Sequence, residues 1–160
     1  MIADDPVVRN ILRRSMVAHI ATLSRSGRPS VNPLYFIYLN GKIWLGTPEW
    51  TLAARNVKAD PRVCVLFNVE QDPADRRVLH IIGQARVRTD AEALRSYNPP
   101  MARKYVLTPG GIYNWLTQPR QLWLRRYYIA QSAQKGPAGV IEVTPELVKI
   151  IAGDQVYTRT

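Results

Sequence analysis

The chain has 160 residues, 46% of them apolar and 21% charged, which suits one soluble domain with a real hydrophobic core. No apolar run approaches the ~20 residues that a membrane span needs, so no membrane partner is expected. Lysine and arginine number 22 against 12 acids, a formal charge of +10. Such a surplus attracts anions in general, and without zinc-finger spacing or an RNA-binding aromatic signature it gives no specific case for nucleic acid.

The opening "MIADDPVVRNILRRSM" has acids ahead of its basics and no signal-like apolar core, so a cytoplasmic protein is expected. Asp4 or Asp5 can cap a helix over residues 4–14, with Pro6 in its first turn and Val8, Ile11 and Leu12 on one face. "MVAHIATL" (16–23) reads as a strand and "SRSGRPS" (24–30) as a turn. "VNPLYFIYL" (31–39) is a second strand, in which Pro33 demands an edge or a bulge. Asn40-Gly41 is a two-residue hairpin turn into "KIWLGT" (42–47). A helix follows, capped by Thr47 or Thr51 and ended near Asp60 by Pro61. "RVCVLFNV" (62–69) and "RVLHIIGQARVRT" (77–89) are strands, the second with Gly83 as a candidate bulge. Cys64, the single cysteine, reads as a buried structural thiol in a reducing compartment.

From Asp90 the pattern turns helical. "DAEALRSY", "NPPMARKYVL" and "TPGGIYNWLTQPRQLWLRRYY" read as short helices separated by proline and glycine. "GVIEVTPELVKIIAG" closes the chain as two short strands around Thr144-Pro145. The expectation is one mainly β domain over 1–160, with six or seven mostly antiparallel strands and a helical insertion at about 90–135.

Three phrases carry a resemblance: "IATLSRSGRPSVNPLYF", "KIWLGTPEW…AARNVKADPRV" and "HIIGQARV". Their order and spacing over residues 15–90 resemble the FMN-binding split-barrel superfamily, the pyridoxamine 5'-phosphate oxidase-like proteins. The resemblance implies a split β-barrel, a homodimer, and a flavin in a groove between subunits with its phosphate at the strand-helix corner. It points to Asn32, Pro33, Leu34, Gly46 and Thr47 beside the ring, and to Trp50, Thr51, Arg55 and Asn56 around the corner. Tyr35, Tyr38 and Trp44 are further candidates to stack on the ring. The corner has its own physical logic: a helix start offers free N–H groups and a partial positive charge to an anion.

The sequence departs from the family pattern at that corner. Where members often carry Ser-Arg-Lys, this chain has Thr51, Leu52 and Ala53, and Asn32 and Ile37 take the places of cations on the second strand. Oxidation of pyridoxamine phosphate itself is therefore not expected. Arg25, Arg28 and Lys58 are basic residues that could supply the lost charge.

The resemblance implies a flavin-dependent oxidoreductase acting on a small-molecule substrate, with FMN as cofactor and a 5-deazaflavin coenzyme as the close alternative. A second reading is a non-redox protein holding haem or another anionic planar ligand, with His19, His80 or a tyrosine as axial ligand. No residue marks itself as a catalytic acid or base. Two isolated histidines and one cysteine make no metal site. The aromatic and arginine-rich segment 108–128 reads as a helical layer on the barrel or a lid.

Overall fold

A computed structural model of the protein describes residues 5–70, 72–105, 107 and 136–159. Along the chain run α1 (Pro6–Arg14), β1 (Ala18–Leu23), β2 (Pro29–Leu34), β3 (Phe36–Leu39) and β4 (Lys42–Gly46). Then come α2 (Leu52–Ala59), β5 (Arg62–Phe67), β6 (Arg77–Arg88), α3 (Ala91–Tyr105), β7 (Val140–Ala152) and β8 (Gln155–Arg159). The segment 108–135, with Arg120, Arg125 and Arg126, lies outside the described residues.

The strands pair antiparallel in the order β2-β1-β5-β6-β7-β4-β3, with β8 added against β7. The two ends of that order, β2 and β3, are joined by Tyr35 alone. One residue spans only about 3.5 Å, so the sheet must curl until its edges meet. The Gly46 N–H donates to the Tyr35 carbonyl at 3.0 Å, which carries the β3–β4 ladder on to the joining residue. The result is a mainly β, half-open barrel, as the sequence implies; β8 is the strand beyond the expected count.

Local chemistry explains most boundaries. Asp5 caps α1, accepting from the Val7 and Val8 N–H groups at 2.8 and 3.3 Å. Asn40 (φ 51°) and Gly41 (φ 76°) make the left-handed pair of a tight hairpin turn. Pro29 and Pro33 sit on the edge strand β2, where a missing N–H costs no ladder bond.

Three expectations about elements are corrected. Residues 31–39 do not form one strand: the chain breaks at Tyr35, and β2 and β3 lie at opposite ends of the sheet order. Residues 140–152 form one strand, not two: Gly83 pairs with Pro145 and Ile82 with Leu147, leaving Glu146 as the extra residue of a bulge. A Cβ on Gly83 would sit 2.1 Å from the Thr144 carbonyl oxygen, so this close crossing needs glycine. Residues 91–105 likewise form one helix that runs through Pro99 and Pro100. The carbonyls these prolines leave without partners belong to Arg95 and Ser96, both exposed, so water can satisfy them.

Alternation sorts the side chains. Ile20, Ile43, Leu45, Val65, Phe67, Leu79, Ile81 and Ile141 fill the barrel, and α1 and α2 add Val8, Ile11, Leu12, Ala53 and Val57 to the same core. On the outer face, α3 lays Ala93 and Tyr97 over Ile37, Trp44 and Val140. Cys64 is half-buried on the outer face rather than in the core, because Val63, Val65 and Phe67 take the inward positions. Its thiol pKa is pushed up by burial.

Candidate functional site

The corner between β4 and α2 is pinned by backbone bonds. Thr47 N–H donates to the Gly139 carbonyl at 3.1 Å and Glu49 N–H to the Pro137 carbonyl at 3.3 Å, so the segment leading into β7 backs the turn. Thr51, not Thr47, caps α2: its hydroxyl accepts from the Ala54 N–H at 3.3 Å. The same hydroxyl donates to the Pro48 carbonyl at 2.9 Å and meets the Thr47 hydroxyl at 2.8 Å. One donor and two acceptor sites are thereby filled. What the helix start still offers is the N–H groups of Leu52 and Ala53, which have no partner inside the helix.

The expected site residues divide into two groups. Thr47 and Asn56 are buried, and the Asn56 amide donates to the Thr22 hydroxyl at 3.0 Å, locking α2 to β1. Gly46 lies beneath the Tyr97 hydroxyl, which would be 2.3 Å from a Cβ there. These three hold the corner's shape. Trp50 (40% exposed), Leu52 (45%) and Tyr35 (56%) present open apolar surface beside it. Arg55 is exposed one turn into α2, while Asn32, opposite Ile20 on β2, is half-buried and accepts from the Ser30 hydroxyl at 3.2 Å. Pro33 is exposed and Leu34 half-buried at the end of the same edge strand. Trp44 lies beneath α3 and Tyr38 packs on the barrel core, which removes both from the open corner.

Along the outer face of α2 runs a cleft of ≈ 450 Å³, lined by Leu52, Arg55, Asn56, Lys58 and Ala59, with Arg25 from the β1–β2 turn opposite them. Among the described residues, no acid lines it. Lys58 is paired with Glu49. Among the described residues, no carboxylate pairs with Arg25 or Arg55.

Two further clusters lie away from the corner. Glu142 is 2% exposed on β7 and is ringed by Lys42 (2.8 Å), Arg86 (2.8 Å) and Arg88 (3.2 Å). These cations hold its carboxyl below the usual range against the opposing effect of burial. At the end of α3, the Lys104 ammonium lies 3.5 Å from the centre of the Phe36 ring and donates to the Leu12 carbonyl at 3.3 Å. Burial lowers its pKa to about 7, with Glu70 pulling the other way. The neighbouring Tyr105 hydroxyl accepts from the Phe36 N–H at 3.1 Å and lies 2.9 Å from the Met16 and Phe36 carbonyls. Burial raises its pKa to about 12. Sequence reasoning missed Tyr97 and Lys104 because Pro99-Pro100 was taken as a helix break. Ala93, Tyr97 and Met101 recur at helical spacing across those prolines.

His19 and His80 sit on the outer sheet face, in one row with Leu66 and Lys149. Burial, with a smaller contribution from Lys149, lowers the His80 pKa. Among the described residues, no three potential metal ligands cluster and no helix is long and apolar enough to cross a membrane.

A curled antiparallel barrel with a strand-helix corner of this kind defines a split-barrel protein. The family model described as pyridoxamine 5'-phosphate oxidase matches residues 5–152, and the chain belongs to that family. No curated protein matches it significantly. Solved structures agree on the fold. A Clostridium acetobutylicum protein related to general stress protein 26, of the pyridoxinephosphate oxidase family, is 16% identical with a TM-score of 0.63, over 95% of this chain and 90% of that one. The haem storage protein HutZ of Vibrio cholerae is 16% identical with a TM-score of 0.64, over 96% and 92%. A structure described as an F420 reductase is 22% identical with a TM-score of 0.58, over 88% and 94%. Likeness at these identities carries the fold and leaves the ligand open.

Proposed function

We propose that the protein is an oxidoreductase that works with a phosphorylated flavin, FMN or a 5-deazaflavin coenzyme, on a small-molecule substrate. The observation that supports this most is the corner itself: a capped helix start with two N–H groups not used by the helix, beside an arginine that has no carboxylate partner among the described residues. The Leu52 and Ala53 N–H groups and Arg55 suit the phosphate, and helix N–H groups serve an anion whatever their side chains. Trp50, Leu52 and Tyr35 offer apolar surface to a planar ring. When bound, the flavin would supply the redox chemistry, and the chain would supply orientation and electrostatics.

A cytoplasmic homodimer completes the reading. On the outer sheet face Ile82 and Leu147 form a half-buried pair, with Leu66 in the next row beside His80 and Lys149, and Ile151 in the row after that, none of them in the core that α1, α2 and α3 help to build. A second copy seated there would bury them.

The second reading, a non-redox holder of haem or a similar anionic planar ligand, draws support from exposed apolar Leu52, which stands where the family often has a cation, with exposed Trp50 near it in sequence. Absorption spectra of the purified protein, alone and after addition of FMN or haemin, separate the two. A bound-flavin spectrum with no Soret shift supports the oxidoreductase; a shifted Soret band with no flavin retention supports the second reading.

A further inference from the structure

The cleft beside α2 extends past the helix start. Leu52, Arg55, Asn56 and Ala59 follow each other at i, i+3, i+4 and i+7, so its floor runs the length of the helix. At ~1.5 Å per residue that is about 10 Å, longer than one phosphate needs.

The opposite wall is prearranged. In the β1–β2 turn the Ser24 N–H donates to the Arg28 carbonyl at 2.9 Å and the Gly27 N–H to the Ser24 carbonyl at 2.8 Å. The Ser24 hydroxyl accepts from the Arg28 N–H at 3.0 Å, and Gly27 adopts φ +76°. A braced turn therefore presents Arg25 to the cleft. The Asn56 amide bound to Thr22 fixes α2 against the strand that leads into this turn.

Some arginines elsewhere meet carboxylates: Arg14 pairs with Asp72 and Asp75, Arg62 with Asp60, Arg77 with Asp75, and Arg88 with Asp90 and Glu142. Arg25 and Arg55 both line this cleft, and among the described residues no acid does. Like charges brought together in a concavity repel, and an oxyanion between them relieves that cost with charge-assisted bonds.

We infer that the cleft between α2 and the β1–β2 turn is an oxyanion subsite, taking a phosphate or carboxylate beyond the one at the helix start, so that the ligand is an oligoanion. This rests on the flavin reading only for that first phosphate. Arg55 serves both positions and Arg25 the outer one.

Titration of the protein with orthophosphate, tripolyphosphate and FMN, for wild type and Arg25→Gln, tests the inference. Tripolyphosphate should bind wild type more tightly than orthophosphate. Arg25→Gln should weaken tripolyphosphate by about tenfold or more, as loss of a charged hydrogen bond implies, and leave FMN within about twofold. Equal wild-type affinity for the two phosphates would overturn the subsite. So would an Arg25→Gln effect that is equal on FMN and tripolyphosphate, since that describes a single phosphate site. If FMN fails to bind while tripolyphosphate binds through Arg25, the flavin reading falls and the subsite stands. Tripolyphosphate should compete with FMN for the helix-start position, and simultaneous binding of the two would overturn the shared arrangement.

Discussion

At the residue scale, hydrogen-bond capacity decides what a side chain is free to do. Thr51 has the hydroxyl expected at a phosphate corner, yet that hydroxyl is already filled by Ala54, Pro48 and Thr47. Thr51→Ala should therefore cost about 1 kcal/mol of stability as a lost cap, measured by chemical denaturation. It should change FMN affinity by no more than about threefold, under the ~1 kcal/mol of an ordinary neutral hydrogen bond. A large loss of affinity with unchanged stability would show that the hydroxyl turns to the ligand. Lys104 offers a pH test. Its folded pKa, about 7, lies below the ordinary 10.5. Between those values the unfolded chain holds the proton more fully than the folded one, so stability rises with pH across that window. Below pH 7 both states are protonated and the cost of the buried charge is present in full. The slope reaches at most about 1.4 kcal/mol per pH unit. Denaturation at pH 7 and pH 9 should show wild type gaining stability relative to Lys104→Met; parallel behaviour of the two would contradict the burial of the ammonium.

At the element scale, the β6–β7 crossing is the tightest requirement on a single residue. Gly83→Ala would place a Cβ 2.1 Å from a backbone oxygen, which cannot rotate away. A loss of about 1–3 kcal/mol is expected, read as a lower denaturation midpoint. A neutral result would mean the bulge relaxes at no cost. This element also shows how far sequence reading reaches. Gly83 was legible as an irregular position within an alternating strand, but its partner was not: Thr144-Pro145 looks like a break until the bulge of β7 at Glu146, seated against Gly83, carries the pairing past it. The helix over 91–105 was hidden in the same way, because proline's local preference was outweighed by packing of Ala93 and Tyr97 on the sheet. The corner was legible in outline, since Thr51, Asp60 and Pro61 bound the helix by local rules. Arg25 was only one of several candidate basics, because its approach to Arg55 depends on how the sheet curls.

At the scale of the whole molecule, α3 covers one outer face of the curled sheet, and among the described helices none covers the face of Leu66 and Ile82. If a second copy covers Leu66 and Ile82, Leu66→Arg should convert the dimer to a monomer in light scattering while the far-ultraviolet dichroism is kept. A wild type that is monomeric at micromolar concentration would remove the shared groove. On the proposed reading, the corner of Gly46 to Asn56 binds a phosphorylated flavin despite Leu52 and Ala53. Exposed charges are screened over about 8 Å at physiological ionic strength, so an arginine-assisted phosphate site must weaken with salt. The most direct measurement is calorimetric titration with FMN, the 5-deazaflavin coenzyme and riboflavin at two salt concentrations. The expected result is that FMN or the deazaflavin binds more tightly than riboflavin, by a margin that shrinks as salt is added. Equal, salt-independent binding of FMN and riboflavin, or no binding of any of the three, would contradict it.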